Sequence, residues 1–187
     1  MALLDRLMGR GRAVDALAVL LAVKSEGRIG RPRLTRLLGL GDRRARNLIN
    51  MLERVGLIVK SRGGSGLSEC SERLLSLAGV HFLGDFTCCT LSSRGLRGDR
   101  VVAARDEIAI LLGEPGRLLL IGWAGGGVVE APGAPEEALE PLGSLLGECA
   151  RLAGGGAAYA LFRGGGCYRC CASFIQAALA SSLLPDL

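Results

Sequence analysis

The sequence predicts a mixed fold, α/β or α+β, built as an N-terminal domain of helices with a β-hairpin over residues 1–79 and a small mixed α/β domain over residues 80–187. Three observations support this prediction. Apolar residues recur at helical spacing three times in the first part, helix and strand patterns alternate in the second part, and the charge changes sign between the two. A chain of 187 residues is long enough for two small domains, and its 49% hydrophobic content supports a core.

The first two predicted helices lie before residue 39. Val14, Leu17 and Leu21 are spaced as one face of a helix over residues 13–26, and Gly27 ends it. Pro32 is well placed in the first turn of a second, shorter helix.

A third helix and a hairpin complete the first domain. Asp42 is a good N-cap, the apolar pattern continues to Val55, and Gly56 is a typical stop. Residues 57–60 have the β-branched content of a strand, residues 61–66 form a glycine-rich turn, and Leu67 begins the return strand. A short helix over residues 71–77 follows.

The second domain alternates between predicted strands and helices. Its predicted elements are a strand region (80–91), a helix (99–112), a hairpin (117–122 with 128–131), a long helix (135–152), a strand (157–162) and a last helix (168–184).

Charge differs sharply between the two domains. Residues 1–79 carry 15 Lys and Arg against 7 Asp and Glu, a net charge of +8, whereas residues 80–187 carry 8 against 11, a net charge of −3. Basic charge confined to one half indicates a polyanion partner for that half, with a solvated basic surface as the alternative. Only Lys24 and Lys60 are lysines, and the other basic residues are Arg, whose planar donors suit phosphate and guanine.

The third helix has one apolar and one basic face. The basic face is either a DNA-binding surface or a charged surface that only contacts solvent. A helix fits the DNA major groove, where Arg bridges guanine and Asn bridges adenine, mostly from the N-terminal turns. The predicted base-contacting residues are Arg43, Arg44, Asn47 and Asn50. The predicted contacts to the DNA backbone are Arg31, Arg33, Arg36, Arg46 and Arg54. Lys60 and Arg62 flank the glycine-rich hairpin tip and are predicted to approach DNA from there.

The segment from Arg33 to Leu40, the helix that follows Asp42 and the exit Leu52-Glu-Arg-Val-Gly-Leu-Ile58 resemble the winged helix-turn-helix superfamily of transcription regulators. The resemblance covers roughly residues 10–80. The second half is similar to archaeal winged-helix proteins that carry an uncharacterised α/β domain, which implies no activity. The resemblance implies a sequence-specific regulator that binds double-stranded DNA, with a C-terminal domain that dimerises or senses a small effector. The alternative is a winged helix used as a protein-interaction module in a transcription or repair assembly.

The seven cysteines, an odd number with two adjacent pairs, do not resemble a secreted disulfide framework, and most are predicted to be buried apolar thiols. Gly164, Gly165 and Gly166 precede Cys167-x-x-Cys170 at a predicted helix start. Backbone amides at a helix N-terminus attract anions, which suggests an effector site. They also favour the thiolate form of a cysteine, which suggests a redox site. The alternatives are a plain turn, structural thiols, or zinc held with Cys88 and Cys89. No metal or other cofactor is predicted.

No enzyme is predicted, because His81, the single histidine, stands among apolar residues and no nucleophile–base pair is visible. The sequence shows no signal peptide and no membrane span, so a cytoplasmic location is expected. A homodimer is also expected. The last helix carries a stripe that is either a dimer seam or part of its own core: Ala172, Ile175, Leu179 and Leu183.

Overall fold

The computed structural model describes residues 10–92, 99–125, 128–154 and 156–183. The chain divides between Ser76 and Leu77 into two compact units, which we call the N-terminal unit and the C-terminal unit. The division falls three residues before the boundary expected from the sequence. Ala78 and Gly79 belong to the C-terminal unit because they open a strand and pair with Leu91 and Thr90.

The N-terminal unit contains four described helices and a two-stranded hairpin. They are α1 (Arg10–Glu26), α2 (Arg31–Leu38), α3 (Asp42–Arg54), β1 (Ile58–Ser61), β2 (Gly64–Leu67) and α4 (Glu69–Leu75). Every residue of α1 from 13 to 23 is buried, Asp15 included. A helix that is apolar on all sides belongs in the interior, and α2, α3 and α4 all contact α1. This helix is therefore the core of the unit.

The β1–β2 hairpin is joined to the helices through Ile29, a contact that the sequence did not predict. The Ile29 amide donates to the Ser65 carbonyl at 3.0 Å, and the Ser65 amide donates back to Ile29 at 2.9 Å. Gly64 makes this approach possible, since its φ is +117° and a Cβ there would lie 2.7 Å from the Ile29 carbonyl oxygen. The hairpin thus pairs with the segment that links α1 to α2.

The C-terminal unit is built around a five-stranded sheet. Its elements are β3 (Ala78–Leu83), β4 (Phe86–Leu91), α5 (Asp99–Leu112), β5 (Leu118–Gly125), β6 (Val128–Glu130), α6 (Glu136–Leu139), α7 (Gly143–Ala153), β7 (Ala157–Arg163) and α8 (Tyr168–Leu183). The strand order is β3-β4-β7-β5-β6, and each neighbouring pair is antiparallel. The mixed fold class predicted from the sequence is confirmed, and the antiparallel sheet makes it α+β.

Two adjacent cysteines of β4 show how the helices cover this sheet. Cys88 is joined to Cys149 of α7, and Cys89 is joined to Cys171 of α8. Successive side chains of a strand point to opposite faces, so α7 covers one face and α8 covers the other. Helix α5 packs beside α8. The α7 face holds a buried cluster of Cys88, Leu120, Ala124, Leu146, Cys149, Tyr159 and Leu161.

The prediction that most cysteines are unpaired thiols is wrong. Six of the seven form disulfides, the third being Cys167–Cys170, and only Cys70 is free. Two of the bonds join residues 61 and 82 positions apart, which the sheet brings together and which spacing along the sequence does not reveal.

Two further expectations for the C-terminal unit need correction. The long helix predicted over residues 135–152 is interrupted by a 3₁₀ turn at Glu140–Leu142, where Pro141 lacks the amide that a continuous helix requires. On α8, Ala172 and Ile175 are buried within the chain, so this part of the apolar stripe belongs to the core and is not an open dimer seam. Leu184, the predicted end of this helix, lies outside the described residues.

Within the described segments, none of the helices combines the length and the apolar character needed to cross a bilayer.

Candidate nucleic-acid interface

Helix α3 is held by one face and presents the other to solvent. Its apolar face is buried in the N-terminal unit through Ala45, Leu48, Ile49 and Leu52. The helix starts one residue earlier than a cap at Asp42 would require, because the N-cap is Gly41 in an extended conformation. The preceding turn is made by Gly39, whose φ is +61°. Asp42 thus lies in the first helical turn, where its charge suits the helix dipole.

The exposed side chains of α3 include Arg43, Asn47 and Arg54, which share one face of the helix. Within the described residues, none of the three has an ion-pair or hydrogen-bond partner. They lie about one and two turns apart along the helix. A row of guanidinium and amide donors is therefore free to bind groups outside the protein.

Arg44, predicted to contact bases, pairs with the carboxylate of Asp15 in α1. The Asp15 side chain is only 3% exposed, whereas that of Arg44 is 56% exposed. The guanidinium therefore bridges the buried helix and the surface, and it supplies a counter-charge that a buried carboxylate needs. This pair fixes the position of α3 on the core.

Asn50, the fourth predicted base contact, is half-buried and belongs to a network that joins α3 to the hairpin. The ammonium of Lys60 donates to Asn50 Oδ1 at 2.7 Å and lies 2.5 Å from the Glu53 carboxylate. Because Lys60 is on β1, the network sets the hairpin against the C-terminal half of α3. A cleft of about 220 Å³ lies between them, lined by Arg31, Arg46, Ile49, Asn50, Lys60, Ser61, Gly64 and Ser65.

The arginines predicted to contact the DNA backbone are exposed and mostly ion-paired at the surface. Arg31 Nε and Arg46 share Asp42, at 2.7 and 3.0 Å, and Arg33 pairs with Glu26. Arg36 Nε donates to the Pro32 carbonyl at 3.4 Å. Exposed pairs of this kind contribute little free energy, so a phosphate can replace the carboxylate at small cost. Arg62, at the hairpin tip, is exposed.

Two basic residues that the sequence did not single out lie at the same surface. Arg28 donates to Ser61 Oγ of the hairpin at 2.7 Å. Arg12, on α1, faces the first turns of α3 across a cleft of about 780 Å³, which is lined by Arg12, Gly41, Arg43, Arg44, Asn47, Leu48 and Met51. The apolar periodicity of α1 gave no sign of these positions, since Arg12 and Arg28 lie at the ends of that pattern.

The second predicted site, Gly164 to Cys170, lies in the C-terminal unit and covers the turn between β7 and α8 and the first turn of α8. Gly164 and Gly166 have φ values of +99° and +75°, and a Cβ at Gly165 would lie 2.7 Å from the Gly84 carbonyl oxygen. The glycines therefore form a tight turn packed against the β3–β4 turn. The zinc alternative fails, because Cys88 and Cys89 face opposite sides of the sheet and each belongs to a different disulfide.

His81 lies on β3 with its Nε2 3.4 Å from Thr90 Oγ1. Among the residues that the structure describes, no group of three or more His, Cys, Asp or Glu side chains is arranged to hold a metal ion.

No family model matches the chain, and no curated protein matches it. Among solved structures, it is similar to the hypothetical protein PH0730 from Pyrococcus horikoshii OT3, with 19% sequence identity and a TM-score of 0.60 over 90% of this chain and 91% of that chain. A likeness at this level of identity shows a shared α+β fold and carries no activity with it.

Proposed function

We propose that the N-terminal unit is a winged helix-turn-helix and that the protein is a sequence-specific transcription regulator that binds double-stranded DNA. One observation carries the proposal. The exposed face of α3 presents Arg43, Asn47 and Arg54 without partners among the described residues, on a helix whose opposite face is anchored in the core. In this proposal α3 is the recognition helix and the β1–β2 hairpin is the wing.

Base contacts are assigned to the N-terminal half of α3. Recognition helices enter the major groove with their first turns, where Arg43 and Asn47 are exposed. Arg43 has the bidentate geometry that suits guanine, and Asn47 has the donor and acceptor that suit adenine. Arg44 is assigned to holding the helix through Asp15, and Asn50 to holding the wing through Lys60.

Phosphate contacts are assigned to the arginines around the recognition helix. Arg31, Arg33 and Arg36 lie on α2, and Arg62 lies at the wing tip. The carboxylates of Asp42 and Glu26 hold three of the surrounding guanidinium groups in place before DNA arrives, namely Arg31, Arg46 and Arg33. Such contacts set the position of the protein on the duplex and carry no sequence information.

The C-terminal unit is assigned the regulatory role of dimerisation or binding of a small effector. A cleft of about 400 Å³ beside α5 and β5, lined in part by Arg105, Asp106 and Pro135, has a volume that suits a small molecule. Sedimentation of the full chain at micromolar concentration tests the dimer, and a monomer there refutes it. A cytoplasmic location is proposed together with the DNA partner. The three disulfides are unusual there, because disulfides are rare in that compartment except in hyperthermophiles.

The test of DNA binding is a polarisation titration against random and genomic duplexes at about 50 and about 200 mM salt. Each neutralised phosphate adds a slope near −0.9 to log K against log salt, so about four to six contacts per protomer weaken binding at least about a hundredfold. Arg62→Ala should reduce the slope by about one. Arg73→Ala is the matched control. It removes the same charge from α4, where Arg73 is exposed and pairs with Glu69, and should leave the slope unchanged. A flat salt response, or no binding at low salt, rejects the proposal and favours a protein-interaction module.

A further inference from the structure

The Cys167–Cys170 disulfide differs from the other two in its surroundings. Cys88, Cys149, Cys89 and Cys171 are fully buried, between the sheet and the helices that cover it. Cys170 is also fully buried, but Cys167 is only half-buried, at the surface of the C-terminal unit. Thiol–disulfide exchange requires access to a sulfur atom along the S–S axis. Among the six bonded cysteines, Cys167 alone keeps part of its surface open to solvent, so it is the one that an external thiol can approach without opening of the fold.

The sulfur of Cys167 sits at the N-terminus of α8. The Cys170 amide donates to Cys167 Sγ at 3.2 Å, and the same amide donates to the Cys167 carbonyl at 3.1 Å. A side chain that accepts from the third residue of a helix in this way is acting as its cap. After reduction, the same amide and the positive end of the helix dipole stabilise a thiolate on Cys167 in preference to one on Cys170.

A cation completes the surroundings of this sulfur. Arg117, which follows α5, places its Nη1 3.8 Å from Cys167 Sγ, and its Nε lies 2.5 Å from the Glu114 carboxylate. The carboxylate fixes the guanidinium beside the sulfur. A positive charge at this distance further favours the thiolate.

The loop before Cys167 is held rigidly, so the sulfur keeps its position when the bond opens. The Cys167 amide donates to Thr87 Oγ1 at 3.2 Å, and that hydroxyl donates to the Gly164 carbonyl at 2.7 Å. The Gly164 amide donates to the Asp85 carbonyl at 2.7 Å. Thr87 is fully buried in β4. The two cysteines are also only three positions apart, so opening their bond releases almost no chain.

We propose that Cys167 and Cys170 form a redox-active pair that exchanges electrons with external dithiols, while the other two disulfides stay closed. A thiolate of the external dithiol attacks Cys167 Sγ and forms a mixed disulfide, and the Cys167–Cys170 bond breaks with its electron pair on Cys170, which takes a proton from water. The second thiol of the reductant, as a thiolate, then attacks the reductant sulfur that is bonded to Cys167. The reductant leaves as a cyclic disulfide, and Cys167 is released as a thiolate. Two electrons pass from the dithiol to the protein, and the reverse sequence oxidises the pair.

The first test uses the oxidised full-length protein under native conditions. Dithiothreitol is added for increasing times, thiols are trapped with N-ethylmaleimide, and each cysteine is quantified by peptide mass spectrometry. Cys70 is free and exposed, so it reports full labelling from the start. Cys167 and Cys170 are expected to label together and at least about a hundredfold faster than the four buried cysteines, which need local unfolding first. Equal rates for the three disulfides overturn the proposal.

A matched pair of variants tests which sulfur exchanges. Cys170→Ser leaves the accessible Cys167 thiol and is expected to accumulate a mixed disulfide with oxidised glutathione. Cys167→Ser leaves the buried Cys170 and is expected to form it at least about tenfold more slowly. Equal accumulation in the two variants overturns the assignment of Cys167.

Arg117→Ala tests the charge beside the sulfur, with Arg151→Ala as its control. Both arginines pair with a glutamate three residues earlier, but Arg151 is on α7, which covers the other face of the sheet from α8. Alkylation of reduced Cys167 at neutral pH is expected to slow about three- to tenfold in Arg117→Ala alone. The same rate in both variants removes Arg117 from the site.

Discussion

The N-terminal unit and the C-terminal unit are each stabilised internally by a different kind of interaction. The N-terminal unit has a buried apolar helix and a surface on which exposed arginines pair with carboxylates. The C-terminal unit has a sheet in which strand β4 is crosslinked covalently to a helix on each face. The difference fits the proposed division of work. Ion pairs at a surface exchange easily for phosphate, whereas disulfides hold a framework that does not rearrange on binding.

The largest expected effect concerns the crosslinks. Replacing Cys88 and Cys149 together by Ala should lower the free energy of unfolding of the C-terminal unit by about 4 kcal/mol, because a bond that spans 61 positions restricts the unfolded chain strongly. The matched control is the pair Cys167→Ala and Cys170→Ala, which should cost less than about 2 kcal/mol because so short a loop is closed.

The measurement is denaturant unfolding of the full chain, followed by the fluorescence of Trp123. This is the single tryptophan and lies on β5, so it reports on the C-terminal unit. If the two double variants lose the same free energy of unfolding, loop length does not govern the stability of the C-terminal unit. The long-range disulfides would then not distinguish this unit from the N-terminal unit.

Base contact and phosphate contact should separate within the N-terminal unit. Arg43→Ala or Asn47→Ala should relax sequence preference by about 1–3 kcal/mol at one base pair, because each removes a bidentate contact. Arg33→Ala or Arg62→Ala should weaken binding to all sequences alike. Competition titrations with single-base variants of a selected site measure both. If all four variants behave identically on specific and random DNA, the assignment of α3 to the major groove is wrong.

The smallest effect distinguishes two neighbouring arginines of α3. Arg44→Ala leaves the buried Asp15 carboxylate without this counter-charge and should lower the free energy of unfolding by about 1–2 kcal/mol. Arg46→Ala removes a surface pair with Asp42 and should cost less than about 0.5 kcal/mol. Thermal unfolding followed by circular dichroism compares the two. A larger loss for Arg46 than for Arg44 would contradict the role given to Asp15.

Local features of the fold were predictable from the sequence because they depend on near neighbours. Gly27, Gly39 and Gly56 mark turns and helix ends, and all three adopt positive φ in the structure. Pro141 is a local signal against a continuous helix over residues 135–152, and it outweighs the apolar spacing that predicts one. The residues of α3 that face solvent followed from its periodicity.

Contacts between distant residues were not predictable in the same way. The bridge from Ile29 to Ser65, the ion pair of Asp15 with Arg44 and the partners of Cys88 and Cys89 all join parts of the chain that only folding brings together. The residue types at these positions do not indicate which distant residue each one contacts. In the candidate interface, the charge of Arg44 is evident from the sequence, but its pairing with the buried Asp15 is not.

The neighbouring cysteines of β4 also act as a check on how the sheet is assembled. If β4 paired one residue out of register, every side chain would change face, and Cys88 would point to α8 while Cys89 pointed to α7. Cys149 and Cys171 would then no longer face their partners, and the two crosslinks of the folded chain would not form. The Cys88–Cys149 and Cys89–Cys171 bonds therefore form together only in the native register of β4, and a form of the protein with Cys88 joined to Cys171 would identify a sheet in which this strand is out of register.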